Sequence, residues 1–547
     1  MNPLTRILTN RLAVTRRSFL QLSAAAAAAG LAGRAAAESP APAGGAPATP
    51  APAGGTSAPP DFGLTAVGRL KPRAAKEVAA SPLGVGFEVL DRKLWDPEKT
   101  YPAMADLGAK WARCQTGWAR TERTKGEFDF AWLDAVVDSL LRIGVQPWFN
   151  LGYGNPLYTP QADEFAVGWA PVFTDEARQA WLRYTQKIAE HFAGRVQHWE
   201  IWNEPNITAF WKPGKPSAAA YVDLVRMTAP EIRKRVPKAV IIGGALAGTP
   251  AEYLKGCVDA GMADFVDKVS YHPYRATPEA GYVRDVRALR QTLAACGREI
   301  PLWQGENGAP SEKGGAGAIA DLPWTEDRQA KWLLRRLIYD LRLGVELTSY
   351  FLIVDLAGYR GSTNYKGLLR GKTYEPKRAY HAYRQMAPLF DADTKRAVEL
   401  AAHVDDAEAD KIIVAPFIRR GRPMYAYWYP ADLMKDWTVR KVGLRVAAAA
   451  DSPVEKSASA GAAVDKPAPS GAAADSSASA PPRRVFDTAS ADKPVPSGAA
   501  VDKPVLADLL SGQVYALPDA KRDGPDWLLP QMPLADYPLV VMDAAAD

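Results

Sequence analysis

Short runs of apolar and β-branched residues recur along the middle of the chain. Each is followed by a stretch whose apolar positions return every three or four residues. The runs are Gly84–Val89, Trp111–Gln115, Gln146–Leu151, Val196–Ile201, Val240–Gly243, Lys268–Tyr271, Leu302–Gln304 and Leu347–Leu352. Helical spacing marks Phe130–Ile143, Asp175–Phe192, Ala218–Arg235, Val283–Cys296, Glu326–Leu343 and, after the last run, Lys377–Met386. In Glu326–Leu343, for instance, Trp332, Leu333, Leu337 and Leu341 recur at that spacing. Eight strand–helix units within residues 81–390 predict an α/β fold, a (β/α)8 TIM barrel. Past about residue 390 the spacing changes to strand-like runs such as Lys411–Pro416, Met424–Tyr429, Val505–Leu517 and Leu534–Met542. These predict a small C-terminal β-sandwich domain over 391–448 and 504–547.

Three stretches lack either pattern. Residues 1–37 carry Arg16-Arg17, an alanine-rich apolar run over Phe19–Gly33 and Ala35-Ala36-Ala37, an arrangement that resembles a twin-arginine-type signal peptide. The run is shorter than the roughly 20 residues a spanning helix needs, so stable membrane insertion is expected only if the signal stays uncut. Residues 38–80 begin as a Pro, Ala and Gly stretch and are expected to be a linker. Residues 449–503 hold one aromatic, Phe486, and a near-repeat of Asp465–Ala473 at Asp492–Ala500; they read as a disordered low-complexity insertion in the sandwich. The expected location is therefore periplasmic or secreted.

With 47% hydrophobic and 23% charged residues, the 547-residue chain can bury a core. Its formal charge of +6 overstates the body's, because five arginines and no acid lie in the first 37 residues. A near-neutral body argues against a nucleic-acid partner. The cysteines Cys114, Cys257 and Cys296 are too few for a disulfide or zinc framework, and the 5 histidines show no metal-binding spacing.

Candidate chemistry sits at the ends of two runs. The fourth ends in Glu200-Ile201-Trp202-Asn203-Glu204-Pro205, and alternation places Glu204 at the rim. The seventh ends in Gln304-Gly305-Glu306-Asn307-Gly308, with Glu306 again at the strand end. Strands four and seven of a barrel face each other across its mouth, so the two carboxylates can converge. A converging pair is what glycosidic cleavage requires: about 5–5.5 Å apart for direct attack, about 6.5–9.5 Å when a water intervenes. No metal or other cofactor is called for. Glu200, deeper in its strand, reads as a buried network partner; Glu88 is an alternative carboxylate, and Glu122 and Glu127 read as solvated. Of the aromatics Trp118, Trp148, Tyr153, Trp211 and Trp324, two or three are expected to stack on sugar, with Trp118, Tyr153 and Trp211 foremost.

Asn203-Glu204-Pro205 and Glu306-Asn307-Gly308 together resemble the retaining (β/α)8 glycoside hydrolases with glutamates after strands four and seven. Leu107–Arg113, Gly117-Trp118, Gly126–Phe130, Leu151–Asn155, Val269–Tyr274 and Ala379–Tyr383 make the likeness closest to glycoside hydrolase family 39. That family includes β-xylosidases, α-L-iduronidases and exopolysaccharide endoglycosidases. The resemblance covers roughly residues 80–390. It implies Glu204 as acid/base, Glu306 as nucleophile, Asn203 on the sugar 2-hydroxyl, and Arg113, His272 and Tyr274 around the nucleophile. It implies an oligo- or polysaccharide partner, cleaved by double displacement. Many members place a tryptophan at strand eight, where this chain has Thr348-Ser349-Tyr350-Phe351. The alternative is a catalytically idle carbohydrate-binding protein on the same scaffold.

Overall fold

The computed structural model describes residues 60–449 and 503–544. The signal-like stretch, most of the expected linker and nearly all of the low-complexity insertion lie outside the described residues. The chain enters through β1 (Ala66–Arg69) and then forms eight parallel strands: β2 (Leu83–Gly86), β3 (Trp111–Gln115), β4 (Gln146–Leu151), β5 (His198–Ile201), β6 (Val240–Ala247), β7 (Lys268–His272), β8 (Leu302–Gln304) and β9 (Leu347–Tyr350). They pair in sequence order, and β2 pairs with β9 to close the barrel. The helices are α1 (Tyr101–Asp106), α2 (Trp118–Thr121), α3 (Ala131–Arg142), α4 (Asp175–His191), α5 (Ala218–Arg235), α6 (Ala251–Asp259), α7 (Tyr282–Ala294), α8 (Glu326–Arg342) and α9 (Arg378–Met386). Of these, α1, α2 and α6 carry too short an apolar pattern for periodicity to single them out.

Local chemistry starts the long helices where they start. The side chains of Thr174, Ser217 and Thr325 accept the backbone N–H of Ala177, Ala220 and Arg328, capping α4, α5 and α8. Trp148, Ile242, Trp303 and Leu347 fill the end of the barrel opposite the loops that follow the strands, with Trp111 packed against them. That plug leaves the other mouth as the place for chemistry.

After β9 comes a hairpin, β10 (Leu356–Tyr359) and β11 (Ser362–Asn364). The C-terminal strands are β12 (Thr394–Arg396), β13 (Ala402–Asp405), β14 (Ile413–Arg419), β15 (Arg422–Trp428), β16 (Arg440–Ala447), β17 (Pro504–Asp508), β18 (Gln513–Ala516), β19 (Lys521–Asp523), β20 (Asp526–Leu534) and β21 (Leu539–Asp543). They form a seven-stranded sheet, β1-β18-β17-β21-β15-β14-β12, and a four-stranded sheet, β13-β16-β20-β19.

The linker expected over 38–80 therefore ends early. β1 pairs antiparallel with β18, Ala66 opposite Tyr515, and is an edge strand of the larger sheet. Phe62 is buried with its ring edge-on to Tyr515, centroids 5.5 Å apart, and its carbonyl accepts Lys441 Nζ at 2.6 Å. The apolar side chains at 62 and 64 give this stretch a surface to bury, unlike the alanine and proline before it.

Barrel and sandwich share buried polar contacts. Arg335 of α8 donates through Nε to Glu279 Oε1 (2.8 Å), and through Nη1 to the carbonyl of Ala431 (2.8 Å). Trp428 Nε1 of β15 donates to the same Glu279 oxygen at 2.8 Å. This explains why α8 buries Arg335; Arg336 and Asp340, also buried, pair with each other and with Pro278, Tyr282 and Thr348 within the barrel.

Candidate active site

The route to the first glutamate differs from simple strand alternation. β5 stops at Ile201, and the backbone then passes through left-handed conformations at Trp202 (φ 69°) and Glu204 (φ 49°). Non-glycine residues adopt this region rarely, and it concentrates at functional sites. What holds it is a neighbouring irregularity. The register of β6 shifts between Gly243 and Leu246, Ala245 is itself left-handed (φ 43°), and its carbonyl accepts Glu204 N–H at 2.8 Å. Ser270 Oγ accepts Ala245 N–H (2.9 Å) and donates to Glu200 Oε1, tying the turn to the barrel interior.

Glu306 lies two residues beyond β8. Gly308 is required just after it: a Cβ there would sit 2.0 Å from the carbonyl oxygen of Phe351. The two carboxylates meet in the mouth. One oxygen of Glu204, one of Glu306 and a ring nitrogen of His272 all lie within 4.8 Å of one another. The glutamate side chains retain 12% and 14% exposure, enough to face a ligand.

Arg113 organises the floor beneath them. Its guanidinium is fully buried and donates to Glu306 Oε2 (2.9 Å), Glu200 Oε2 (2.7 Å), Glu88 Oε1 (3.1 Å) and Asn203 Oδ1 (2.9 Å). Burial alone would lower its pKa, but Glu200, Glu88 and Glu306 together raise it. The carboxyl of Glu88 behaves in the opposite sense. Burial pushes it up to about 8, Arg113 pulls it down and Glu306 adds to the rise, so it carries its proton near neutrality. Tyr274 donates its hydroxyl to Glu306 Oε1 at 2.9 Å; burial and the Glu306 charge raise its pKa, so it stays a donor. Asn203, its oxygen taken by Arg113, turns its amide nitrogen elsewhere.

His272 stands between the two glutamates and bonds to Glu204 rather than to Glu306. Its Nδ1 is 2.9 Å from Glu204 Oε1 and 3.8 Å from Glu306 Oε2. The three groups also offer ligand atoms to a cation, but Arg113 already brings positive charge to the Glu306 oxygen. Tyr153 reaches only the edge of the site: burial raises its phenol pKa and the charges of Glu306 and Glu204 add to the rise, while its ring is buried, stacked on Phe210 and edge-on to Trp202.

The other two foremost aromatics do not join it. Trp118 is buried, stacked with Tyr158 and Tyr184, and donates Nε1 to Glu122 Oε2 at 2.6 Å. Trp211 is buried edge-on to Trp202 and Tyr221. Both rings spend their faces on the core and have none for a sugar; Trp148 belongs to the plug at the far end. Glu122, expected in solvent, is buried and accepts Trp118 Nε1, Tyr158 Oη (2.6 Å) and Gly126 N–H (2.8 Å). Those donors close a ring in space that linear spacing does not display. Glu200 is the buried partner its depth implied, accepting Arg113, Asn150 Nδ2 (3.0 Å) and Ser270.

Residues the sequence did not single out include Asn150, Ser270 and Lys366. Lys366 follows β11 and is buried beside Tyr274, with its Nζ 5.6 Å from the ring centroid. No periodic signal marks a loop lysine as internal. A cavity of about 1130 Å³ lies at the plugged end, lined by Trp111, His198, Trp303 and Arg290 and by neither catalytic candidate.

Residues 109–298 match the family described as "Glycosyl hydrolases family 39". A β-xylosidase of Geobacillus stearothermophilus is 28% identical over 159 residues, 27% of this chain and 31% of the relative. A β-xylosidase of Caldicellulosiruptor saccharolyticus is 28% identical over 164 residues, with the same coverage of 27% and 31%. The chain thus spans about a third of the length of these curated relatives. Among solved structures, a family 39 glycoside hydrolase from Bacteroides cellulosilyticus superposes with a TM-score of 0.56 at 20% identity, covering 85% of this chain and 81% of the other. That likeness concerns the fold.

Proposed function

We propose that the protein is a retaining glycoside hydrolase of the family 39 kind, in which Glu306 attacks the sugar and Glu204 handles the proton. The observation carrying this reading is the approach of the two carboxylates, with one oxygen of each within 4.8 Å. That spacing fits direct attack and leaves too little room for a water between carboxylate and sugar.

In the first step a Glu306 oxygen bonds to the anomeric carbon as the glycosidic C–O bond breaks. Glu204 gives its proton to the departing oxygen. Arg113 and Tyr274 hold Glu306 at both oxygens, which fixes the angle of attack and keeps the carboxylate in place as charge leaves it. In the second step Glu204 takes a proton from water, the water oxygen bonds to the anomeric carbon, and Glu306 is released. His272 holds Glu204 Oε1, leaving Oε2 to meet the leaving group. Asn203, oriented by Arg113, is the donor for the 2-hydroxyl.

The matched relatives' named activity makes aryl β-xylosides the first substrates to test. Export by a twin-arginine-type signal belongs to the same reading, with the body acting on oligo- or polysaccharide outside the cytoplasm. Among the described residues no helix is long and apolar enough to cross a membrane.

The test is trapping with a 2-fluoro aryl glycoside followed by peptide mass spectrometry, with label expected on Glu306. Glu204→Gln should slow turnover of alkyl glycosides by about 10²–10⁴-fold while sparing the first step for dinitrophenyl leaving groups. Absence of label together with absence of turnover on every aryl glycoside tried would favour an idle carbohydrate-binding protein.

A further inference from the structure

Glu88 is a buried carboxyl at this site to which the double displacement gives no task. It is 1% exposed, and its Oε2 occupies the place where a side chain at Gly86 would begin, so that a Cβ there would collide with it. Glycine at 86 thus keeps a slot for this carboxyl beside Arg113. Glu88 Oε1 accepts Arg113 Nη1 at 3.1 Å, and the same nitrogen donates to Glu306 Oε2 at 2.9 Å. Glu88 Oε2 has no hydrogen-bond partner among the described residues.

One buried guanidinium therefore faces three carboxyl groups, because Glu200 Oε2 accepts its Nε at 2.7 Å. With Glu200 and Glu306 as carboxylates, negative charge already exceeds the positive, and a third anion out of water would widen the excess. Carboxyl groups crowded on one site hold on to a proton. Glu88 is the one that holds it: burial pushes it up to about 8, against the pull of Arg113 and with a further push from Glu306. Attack on the sugar changes this balance. Once Glu306 is a glycosyl ester its charge is gone, its push on Glu88 ends, and the pull of Arg113 remains.

We propose that Glu88 is a positioning residue acting through Arg113: it gives its proton to solvent when Glu306 forms the glycosyl ester and takes one back when the ester is hydrolysed. Arg113 then faces two anions in both states, Glu200 with Glu306 and afterwards Glu200 with Glu88, so the guanidinium keeps its place through both steps. The inference rests on the retaining glycosidase reading. Of the other groups that face Glu88, Arg113 is held charged by its carboxylates, and burial keeps the Cys114 thiol and the Tyr274 hydroxyl protonated near neutrality. Lys366, beside Tyr274, is the competing source of a proton: burial pulls it down to about 7 while the Glu306 charge pulls it up.

The experiment uses the full chain carrying Glu204→Gln, with dinitrophenyl glycosides, the β-xyloside first. In that background a Glu306 oxygen bonds to the anomeric carbon, the glycosidic C–O bond breaks, and dinitrophenolate departs as the anion without taking a proton. Without the Glu204 carboxylate no base activates water, so the ester accumulates. The dinitrophenolate burst counts esters, and a pH indicator in weak buffer counts protons. At pH 7 about half a proton or more should appear per dinitrophenolate. The release should shrink above pH 8, where Glu88 has already lost its proton. Adding Glu88→Gln should abolish it, and adding Lys366→Met should leave it in place. A burst without proton release, a release that survives Glu88→Gln, or one that Lys366→Met abolishes overturns the proposal. Infrared difference spectra with isotope-labelled glutamate carboxyls need no change at 88 and keep the test open if Glu88→Gln does not fold. The band of a protonated glutamate should vanish with the burst; a band that persists overturns the proposal. No burst on any dinitrophenyl glycoside would defeat the hydrolase reading and this inference together, whereas a full burst without the Glu88 proton defeats the inference alone.

Discussion

Glu88 shows how one buried carboxyl can set a pH dependence without touching substrate. In an unfolded chain a glutamate ionises near its ordinary pKa of 4.5, whereas here it holds its proton up to about 8. Between those values the folded state binds the extra proton, so this group's contribution to stability falls as pH rises. Below 4.5 both states are protonated and the contribution is at its full value. Glu88→Gln keeps an acceptor for Arg113 Nη1 and removes the titration. The gain in thermal midpoint of Glu88→Gln over the parent should therefore widen from pH 5 to pH 8. A difference that stays flat across that range would contradict the assignment. At this scale sequence reading proposed both glutamates from the ends of strands and Arg113 from the family likeness, and the structure brings these side chains together. The same reading misplaced Trp118, Trp211 and Glu122, because whether a ring or carboxylate faces core or mouth depends on neighbours distant in sequence, such as Tyr158 and Tyr184 for Trp118.

Among the elements, the eight barrel strands were legible since each is a short apolar run and most have a periodic helix after them. The departures occur where regularity breaks. Val240–Gly243 continues past its bulge to Ala247, and the bulge is what receives the Glu204 N–H. Nothing in an apolar run announces that two strands exchange support through left-handed residues. α8 carries a buried contact between the sandwich and the barrel. Arg335 pairs with Glu279 in the loop between β7 and α7, the loop that carries Tyr274. Removing one partner of a buried ion pair costs about 3–5 kcal/mol. Arg335→Met should lower the thermal midpoint by several degrees and reduce kcat, since the loop holding Tyr274 against Glu306 loses its anchor. Differential scanning fluorimetry and steady-state rates on the same preparation check both effects. An unchanged kcat in a destabilised protein would show that the anchor serves stability alone.

For the whole molecule, the low-complexity stretch is the cheapest claim to check. β16 ends at Ala447 in one sheet and β17 starts at Pro504 in the other. The composition of residues 450–502 offers no apolar face to either sheet. Replacing 450–502 with a short Gly/Ser linker should leave the thermal midpoint and kcat/KM within measurement error. A large fall in either would mean that the stretch packs against the body. The division into barrel and sandwich was readable from the change of period near residue 390, but the share of the sandwich built from residues before the barrel was not. A four-residue strand with every position exposed, as β1 is, gives no alternation to detect.

β1 has a consequence for how the molecule is made. Ala66, Gly68 and Arg69 leave the ribosome long before Tyr515, Val514 and Gln513, the residues they pair with. That edge of the sheet cannot form until residues 513–515 have been made. A gene fragment that begins with the barrel loses β1, and one that stops after it keeps β1 without the strands it joins, so neither carries the whole sheet.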